Sequence, residues 1–474
     1  MKIMGKKTVN IKITAKLQFF FIRAEGLSVP PFIAGLFVSF FLMFSCATNQ
    51  AFYTSTDAAV FDLNFDKAID IIIKGQREKN AVYPEKNAVS LYLDKGLLEH
   101  YAGNYETSSN DLQFAERLIE EAYTKSITEE FFSYIVNDNI KNYPGEDFED
   151  IYLNIFNALN YYHRGSMEGA LVEIRKLSSS GGKLVMLAKK YEYTDPKSGE
   201  NFYDIVQRET GLSTLPETFS VNFSNSALAR FLGALFYQAS GNHDAARLEF
   251  NQVQRAFSTN RNIYRNPLPA AVEESRNVPP GKARLNVLCF TGLSPIKHEN
   301  VLPHFLPFHH PVLQVGFFKI PVLKNRNSII TRIEVIVNEN RFKLELLEDI
   351  SAVIEETFKA RYSNILAKTY IRTFLKYAAS DIAAIETSRK NGRDAGFLAA
   401  FAARIIMDSS ESADTRMSRY LPGRSHIGGI NLDPGTYDVY INYYHINELV
   451  SGEEYKNVIV KETGLNLLQS VNLK

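Results

Sequence analysis

Four of the nine histidines of this chain fall in one short segment: His298, His304, His309 and His310. Imidazole is a frequent metal ligand, so such a cluster raises the question of a metal centre. The surroundings weaken that reading. Pro295, Pro303, Pro307 and Pro311 predict an extended loop, Glu299 is the nearby carboxylate, and neither an HxH nor an HExxH spacing occurs. The four histidines are therefore weak metal candidates, and no cofactor is expected. A second charged group, Arg416, Arg419 and Arg424 near Asp414, reads as a salt-bridged turn ahead of the last strands, with an anion site as the alternative. Cys289 lies in the apolar run Leu285 to Phe290 and reads as a small core residue rather than a nucleophile. No GxSxG, P-loop or GxGxxG stands in a credible setting, so no catalytic residue is assigned and an enzyme is not expected.

The remaining reactive residue is Cys46. Ahead of it stand Lys2, Lys6, Lys7, Lys12, Lys16 and Arg23 against Glu25, then the apolar run Phe32 to Phe44, then Ser45. A basic leader, an apolar stretch too short for a spanning helix (about 20 residues) and a small residue before Cys have the layout of a bacterial lipoprotein signal. This predicts a signal peptide over 1–45, lipidation of Cys46 and a membrane held through acyl chains, palmitate among them. Ala47 and Thr48 follow instead of Asp, which favours the outer membrane, facing the periplasm. The chain has equal numbers of acidic and basic residues. Removal of so basic a leader leaves a mildly acidic remainder, which argues against a nucleic-acid partner. With Cys46 acylated, Cys289 has no disulfide mate, so packing must hold the fold.

The elements are predicted to divide into two domains. Residues 46–258 read as helices with apolar positions every three or four residues. Three segments share one frame: Gly96, Gly103 and Tyr105; Ala158, Gly165 and Ala170; Ala234, Gly241 and Ala246. Asn64 to Ile72 is a partial fourth. In each, a small residue lets two helices approach, a turn glycine takes a left-handed backbone at little cost, and a second small residue seats the returning helix. These positions resemble the tetratricopeptide pattern, although the turn glycines stand much farther apart than its repeat of about 34 residues. Such a solenoid offers a concave face to partner proteins. Tyr92, Tyr101, Tyr105, Tyr161 and Tyr162 either line that groove or, more in keeping with helical spacing, belong to the core. The stretch from residue 183 to about Ser224 reads as an insertion lying across the groove.

Residues 259–282 form a proline-rich linker, and 283–474 a mixed α/β domain with small antiparallel sheets; the fold class is α+β. Leu285 to Phe290 is a buried strand. Thr331 to Val337 and Arg341 to Leu347 form a hairpin through Asn338-Glu339-Asn340, and a long helix follows from Ile350. Arg361, Lys368, Arg372 and Lys376 mark its other face, which reads as solvated, with a grip on anionic lipid or glycan phosphates as the alternative. Phe397 to Met407 is a core helix, too short to span a membrane. Thr436 to Tyr444, Val458 to Val460 and Leu465 to Leu473 close the final antiparallel sheet.

Three further segments carry a resemblance: Tyr143-Pro144-Gly145-Glu146-Asp147 leading into Ile151 to Asn154, Gly292 to Glu299, and Ala413-Asp414-Thr415-Arg416 through Leu421-Pro422. With the lipobox they make the chain similar to a family of bacterial lipoproteins that join a tetratricopeptide-like half to a mixed C-terminal half. The resemblance implies a cell-envelope setting and protein partners there, such as other lipoproteins or components of wall synthesis or secretion. A lipid-anchored scaffold or adaptor is the expected function. The alternatives are an envelope enzyme acting on peptidoglycan or a glycan through residues 283–474, and a structural surface protein.

Overall fold

The structure, a computed structural model, describes residues 52–77, 82–126, 139, 141–192, 223, 225–305, 315–392 and 412–474. Residues 52–474 form one compact unit. It mixes helices with small sheets, as an α+β chain should.

After a helical segment over 52–61 come α1 (Phe65–Arg77), α2 (Ala88–Tyr101), α3 (Tyr105–Ser126), α4 (Asp147–His163), α5 (Met167–Ser178), α6 (Lys183–Glu192), α7 (Ala227–Ala239), α8 (His243–Thr259) and α9 (Ala270–Arg276). The pairs α2–α3, α4–α5 and α7–α8 are hairpins. Their turn residues Gly103, Gly165 and Gly241 have φ of 82°, 78° and 79°, where a side chain would be strained. Gly96, deep in α2, shows why the frame needs a small residue there. A Cβ built on it would stand 2.8 Å from Leu112 of α3, and its carbonyl accepts the Ser108 hydroxyl at 2.6 Å. Ala158, Ala170, Ala234 and Ala246 are buried at the matching contacts. Ser166 and Asn242 cap α5 and α8 by accepting from the N–H of Gly169 and Ala245.

The strands are β1 (Ala283–Leu293), β2 (Ile296–Phe305), β3 (Val315–Lys324), β4 (Arg332–Val337), β5 (Asn340–Lys343), β6 (Glu345–Asp349), β7 (Pro422–Leu432), β8 (Gly435–His445), β9 (Glu448–Val460) and β10 (Asn466–Asn472), with α10 (Ile350–Asn391) between β6 and β7. One sheet has the order β10-β1-β7-β6 and a second β5-β4-β8-β9, while β2 and β3 form a separate ribbon. Every residue of β1 is buried. Ala283, Leu285, Val287 and Cys289 meet Ile333, Val335, Val439, Ile441 and Tyr443 of the second sheet. On the opposite face, Leu288 and Phe290 join a core made by α2 through α9, with Phe156 and Phe290 rings 5.0 Å apart. The architecture is thus helices, sheet, sheet, and a strand buried on both faces reads as a continuous apolar run.

Several expectations change. The segments divided in sequence at 259–282 share one hydrophobic core, and that stretch contains α9. The final strands do not make a purely antiparallel sheet, because β10 pairs with β1 in parallel, Leu285 opposite Asn466. The stretch Arg341 to Leu347 is two strands: β5 pairs with β4, whereas β6 crosses to the other sheet and pairs with β7. Within the described part of the histidine segment, Ile296–Phe305 is a strand rather than an extended loop, β2 pairing with β3 through Pro303 opposite Phe317. A two-stranded ribbon has outward-facing backbone positions where a proline loses no hydrogen bond. The basic face of α10 is not simply solvated: Arg361 pairs with Glu146, and Arg372 is buried. Phe397 to Met407, and the predicted insertion beyond Glu192 save for Phe223, lie outside the described residues.

Candidate functional site

The helices and sheets meet along a polar seam, and the three segments behind the resemblance converge there. Glu146 and Glu149 form a capping box at the start of α4. Glu146 pairs with Lys297 from β2 and with Arg361 from α10. Lys297 also donates its backbone N–H to Met417 Sδ at 2.9 Å and its ammonium to the Arg416 carbonyl at 3.2 Å. Arg416 grips Asp414 through Nε and Nη2, both at 2.8 Å, and lies 5.1 Å from the centre of the Tyr143 ring. Glu149 accepts from the Tyr143 hydroxyl and the Glu146 N–H, each at 2.7 Å, and from the Ser418 N–H. Burial, then the neighbouring Glu146 carboxylate, pushes Glu149 up to about 7.

The seam continues toward the N-terminal helices. Asp94 of α2 accepts from the Tyr83 hydroxyl at 2.8 Å, the Ser418 hydroxyl at 3.0 Å and the Arg419 N–H at 2.5 Å. Burial outweighs these donors and raises Asp94 to about 6. Arg419 forms a two-pronged pair with Asp57 at 2.9 and 2.6 Å, over the Tyr53 ring. Deeper in, His100 donates from Nδ1 to Asn160 at 2.6 Å and accepts at Nε2 from Gln469 of β10 at 2.6 Å. Burial lowers it to about 3, so it stays neutral. Glu348 of β6 is wholly buried and ties four parts together. It accepts from Tyr152 of α4 at 2.7 Å, Tyr264 at 2.6 Å, Ser226 at 3.0 Å and the Leu228 N–H at 3.3 Å. A register shift between Leu346 and Glu348 breaks the β6–β7 pairing next to it, as a bulge does when it re-aims a side chain.

These ties use α2, α4 and α7, the first helix of each hairpin. Tyr101 donates to the Tyr420 carbonyl at 2.8 Å and Tyr162 to the Leu465 carbonyl at 3.1 Å, while Tyr105 stacks on His163 at 4.4 Å. Tyr101 and Tyr162 thus place their hydroxyls on the chain's own C-terminal segments, whereas the Tyr161 hydroxyl accepts from Gln113 of α3 at 2.8 Å.

A polar cleft of about 190 Å³ opens beside the seam. Its walls are the tip of β1 (Thr291 to Leu293), the loop 325–328, the first turn of α10 and the start of β7, with Arg265 at one side. Gly292 has φ of 62°, and a Cβ there would stand 2.5 Å from Ser328, so only glycine permits this approach of β1 to the loop. Arg326 donates Nε to the Ser294 carbonyl at 2.8 Å and Nη2 to the Arg419 carbonyl, whereas its buried Nη1 has no partner. Burial, then the nearby Arg419, lowers Arg326 to about 10.

Among the predicted site residues, the turn and packing positions come together as hairpins. His298 is exposed and donates Nδ1 to the Glu299 carbonyl at 2.8 Å. His304 lies in β2, and His309, His310 and Cys46 lie outside the described residues. Among the described residues no group of three or more His, Cys, Asp or Glu is placed to hold a metal, and no helix is long and apolar enough to cross a membrane. Cys289 is fully buried, its thiol pushed up to about 12 by that burial. Sequence reasoning missed Asp94, Glu348 and Arg326. A buried charge carries no local signal, since each is buried only by segments far away in the chain. Searches of protein-family models, curated proteins and solved structures found no match to the chain.

Proposed function

We propose that the chain is a lipid-anchored scaffold of the bacterial cell envelope, related to the lipoproteins it resembles and held by acylated Cys46. In this reading α2–α3, α4–α5 and α7–α8 are tetratricopeptide-like units whose inner face has been taken over by the chain's own strands. Partner proteins of the envelope dock on the outward helices α3, α5 and α8 instead. The observation that carries the reading is the polar seam, which locks the hairpins to the sheets and begins at Asp57, a short distance in sequence past Cys46. A rigid body tied to its anchor by a short segment suits a platform better than a hinged enzyme. Val172 of α5 and Leu248 of α8 are exposed apolar residues on those outward helices. A photocrosslinking residue at 172 or 248 should capture an envelope protein from intact cells, and one at the inner Tyr101 should not. Capture of the same protein from position 101 alone would overturn the docking face. Cys46→Ser should remove acyl labelling and release the chain from the membrane fraction; acyl labelling and membrane association that survive this change would sink the anchor. A second reading, an activity on a small envelope ligand, is favoured by the polar cleft.

A further inference from the structure

The cleft beside the seam is cationic and incompletely satisfied. Three arginines, Arg265, Arg326 and Arg424, line it together with two carboxylates, Asp349 and Glu355. Both carboxylates already have work: Asp349 caps α10 by accepting the Ala352 N–H at 3.0 Å and pairs with Arg424 at 3.5 Å, and Glu355 accepts from Asn325 at 3.2 Å. Arg326 has no ion-pair partner among the described residues. Two polar groups of the wall are unpartnered. Thr291 is fully buried (0 % exposed) and its Oγ1 has no hydrogen-bond partner, and the same holds for Arg326 Nη1. Buried polar groups left in this state are costly, so a ligand that satisfies them is favoured. The first turn of α10, including Ser351 and Ala352, also lines the cleft. The N–H groups at the start of a 42-residue helix add positive potential there.

We propose that this cleft binds a phosphate monoester carried on a small polyol, with the phosphate held by Arg326, Arg424 and the first turn of α10. A guanidinium fork matches a phosphate through paired hydrogen bonds, and an unneutralised Arg gains most from it. The depressed basicity of Arg326 fits a cation that awaits its counter-charge. The size argues for more than the bare anion. The volume equals that of about six waters, near that of a three-carbon polyol phosphate. Glu355 and Asn325, side by side on the wall, present an acceptor and a donor for hydroxyls. The inference is independent of the docking face proposed above.

Titration calorimetry of the full chain with glycerol 3-phosphate tests the proposal. One site with sub-millimolar affinity is expected, with glycerol alone giving no binding. Arg326→Lys keeps the charge but loses the fork and should weaken binding about tenfold. Arg424, whose side chain is 42 % exposed, can be changed without threatening the fold, and Arg424→Gln should weaken binding by about as much. Two outcomes supply the carrier's origin while supporting the proposal: a soluble short-chain phosphatidic acid that binds as tightly points to a lipid headgroup, and one that is excluded points to a soluble ester. Inorganic phosphate binding as tightly as glycerol 3-phosphate overturns the polyol carrier. Absence of heat at millimolar ester, or affinity unchanged by both substitutions, overturns the site.

Discussion

Asp94 and His100 stand in one helix, and burial moves both toward their neutral forms by opposite routes. Asp94 binds a proton more readily folded than unfolded, its value rising from the ordinary 3.8 to about 6. Its contribution to stability is therefore greatest in acid and declines as pH rises through about 4 to 6. His100 is lowered from 6.5 to about 3, so its contribution is present above its ordinary value and is lost as pH falls through that window. Opposed slopes partly cancel in the parent protein, and substitution separates them. Urea midpoints measured at pH 4 and pH 7.5 should show the stability difference between Asp94→Asn and the parent moving by about 2 kcal/mol in favour of the variant at the higher pH. A pH-independent difference would contradict the buried, unpaired carboxylate. At Gly96 the argument is steric. Gly96→Ala places a methyl group against Leu112 and should cost about 1–3 kcal/mol, whereas Gly103→Ala meets no atom within 4 Å and should cost only the left-handed backbone, about 1–2 kcal/mol. Both are read from thermal or urea unfolding.

At the scale of elements, Glu348 carries the join between α4, α7 and β6. Removing its carboxylate strands the Tyr152 hydroxyl in a dry interior and takes the short acceptor from Tyr264, and the carboxylate acceptor from Ser226. Glu348→Ala should cost at least about 3 kcal/mol, and Glu348→Gln, which keeps an acceptor, clearly less. Equal losses from the two would show that volume rather than hydrogen bonding matters there. The hairpins were legible in sequence because their determinants are local: a glycine at the turn, a small residue at the crossing, a second small residue in the returning helix. The ribbon β2–β3 was not. Its prolines mark a loop by composition, and only the partner strand, with Phe317 opposite Pro303, reveals the pairing.

For the whole molecule, the shared core decides how it unfolds. Leu288, Phe290, Ile427 and Leu467 from the sheet belong to the same cluster as the helices. A fragment ending at residue 258 would expose the helical face that these residues cover. Residues 52–474 are expected to unfold in one transition, with far-ultraviolet circular dichroism and tyrosine fluorescence coincident, and the fragment 46–258 to be open to proteolysis. Two separate transitions would restore the two-domain division of the sequence reading. The sequence reading drew that boundary from a change in periodicity, which marks a change of element, while domain boundaries depend on which surfaces meet. The candidate cleft was illegible for the same reason. Arg265, Thr291, Arg326 and Arg424 come from four separate segments, and only Arg424 stood out beforehand, as a member of a charged turn.

What the sequence determined by itself is the set of properties written over a few residues: the basic residues and apolar run ahead of Cys46, the helical hairpin frame, the apolar run of β1, and the long helix opened by Asp349. Each depends on backbone preferences or on the period of apolar side chains, which neighbours in the chain suffice to express. Tertiary structure alone decided which face of the hairpins is covered, that β10 runs parallel to β1, and which charged groups lose their water. Those outcomes rest on contacts between residues hundreds of positions apart, such as Asp57 with Arg419, and burial of a charge is a property of the surfaces that close over it.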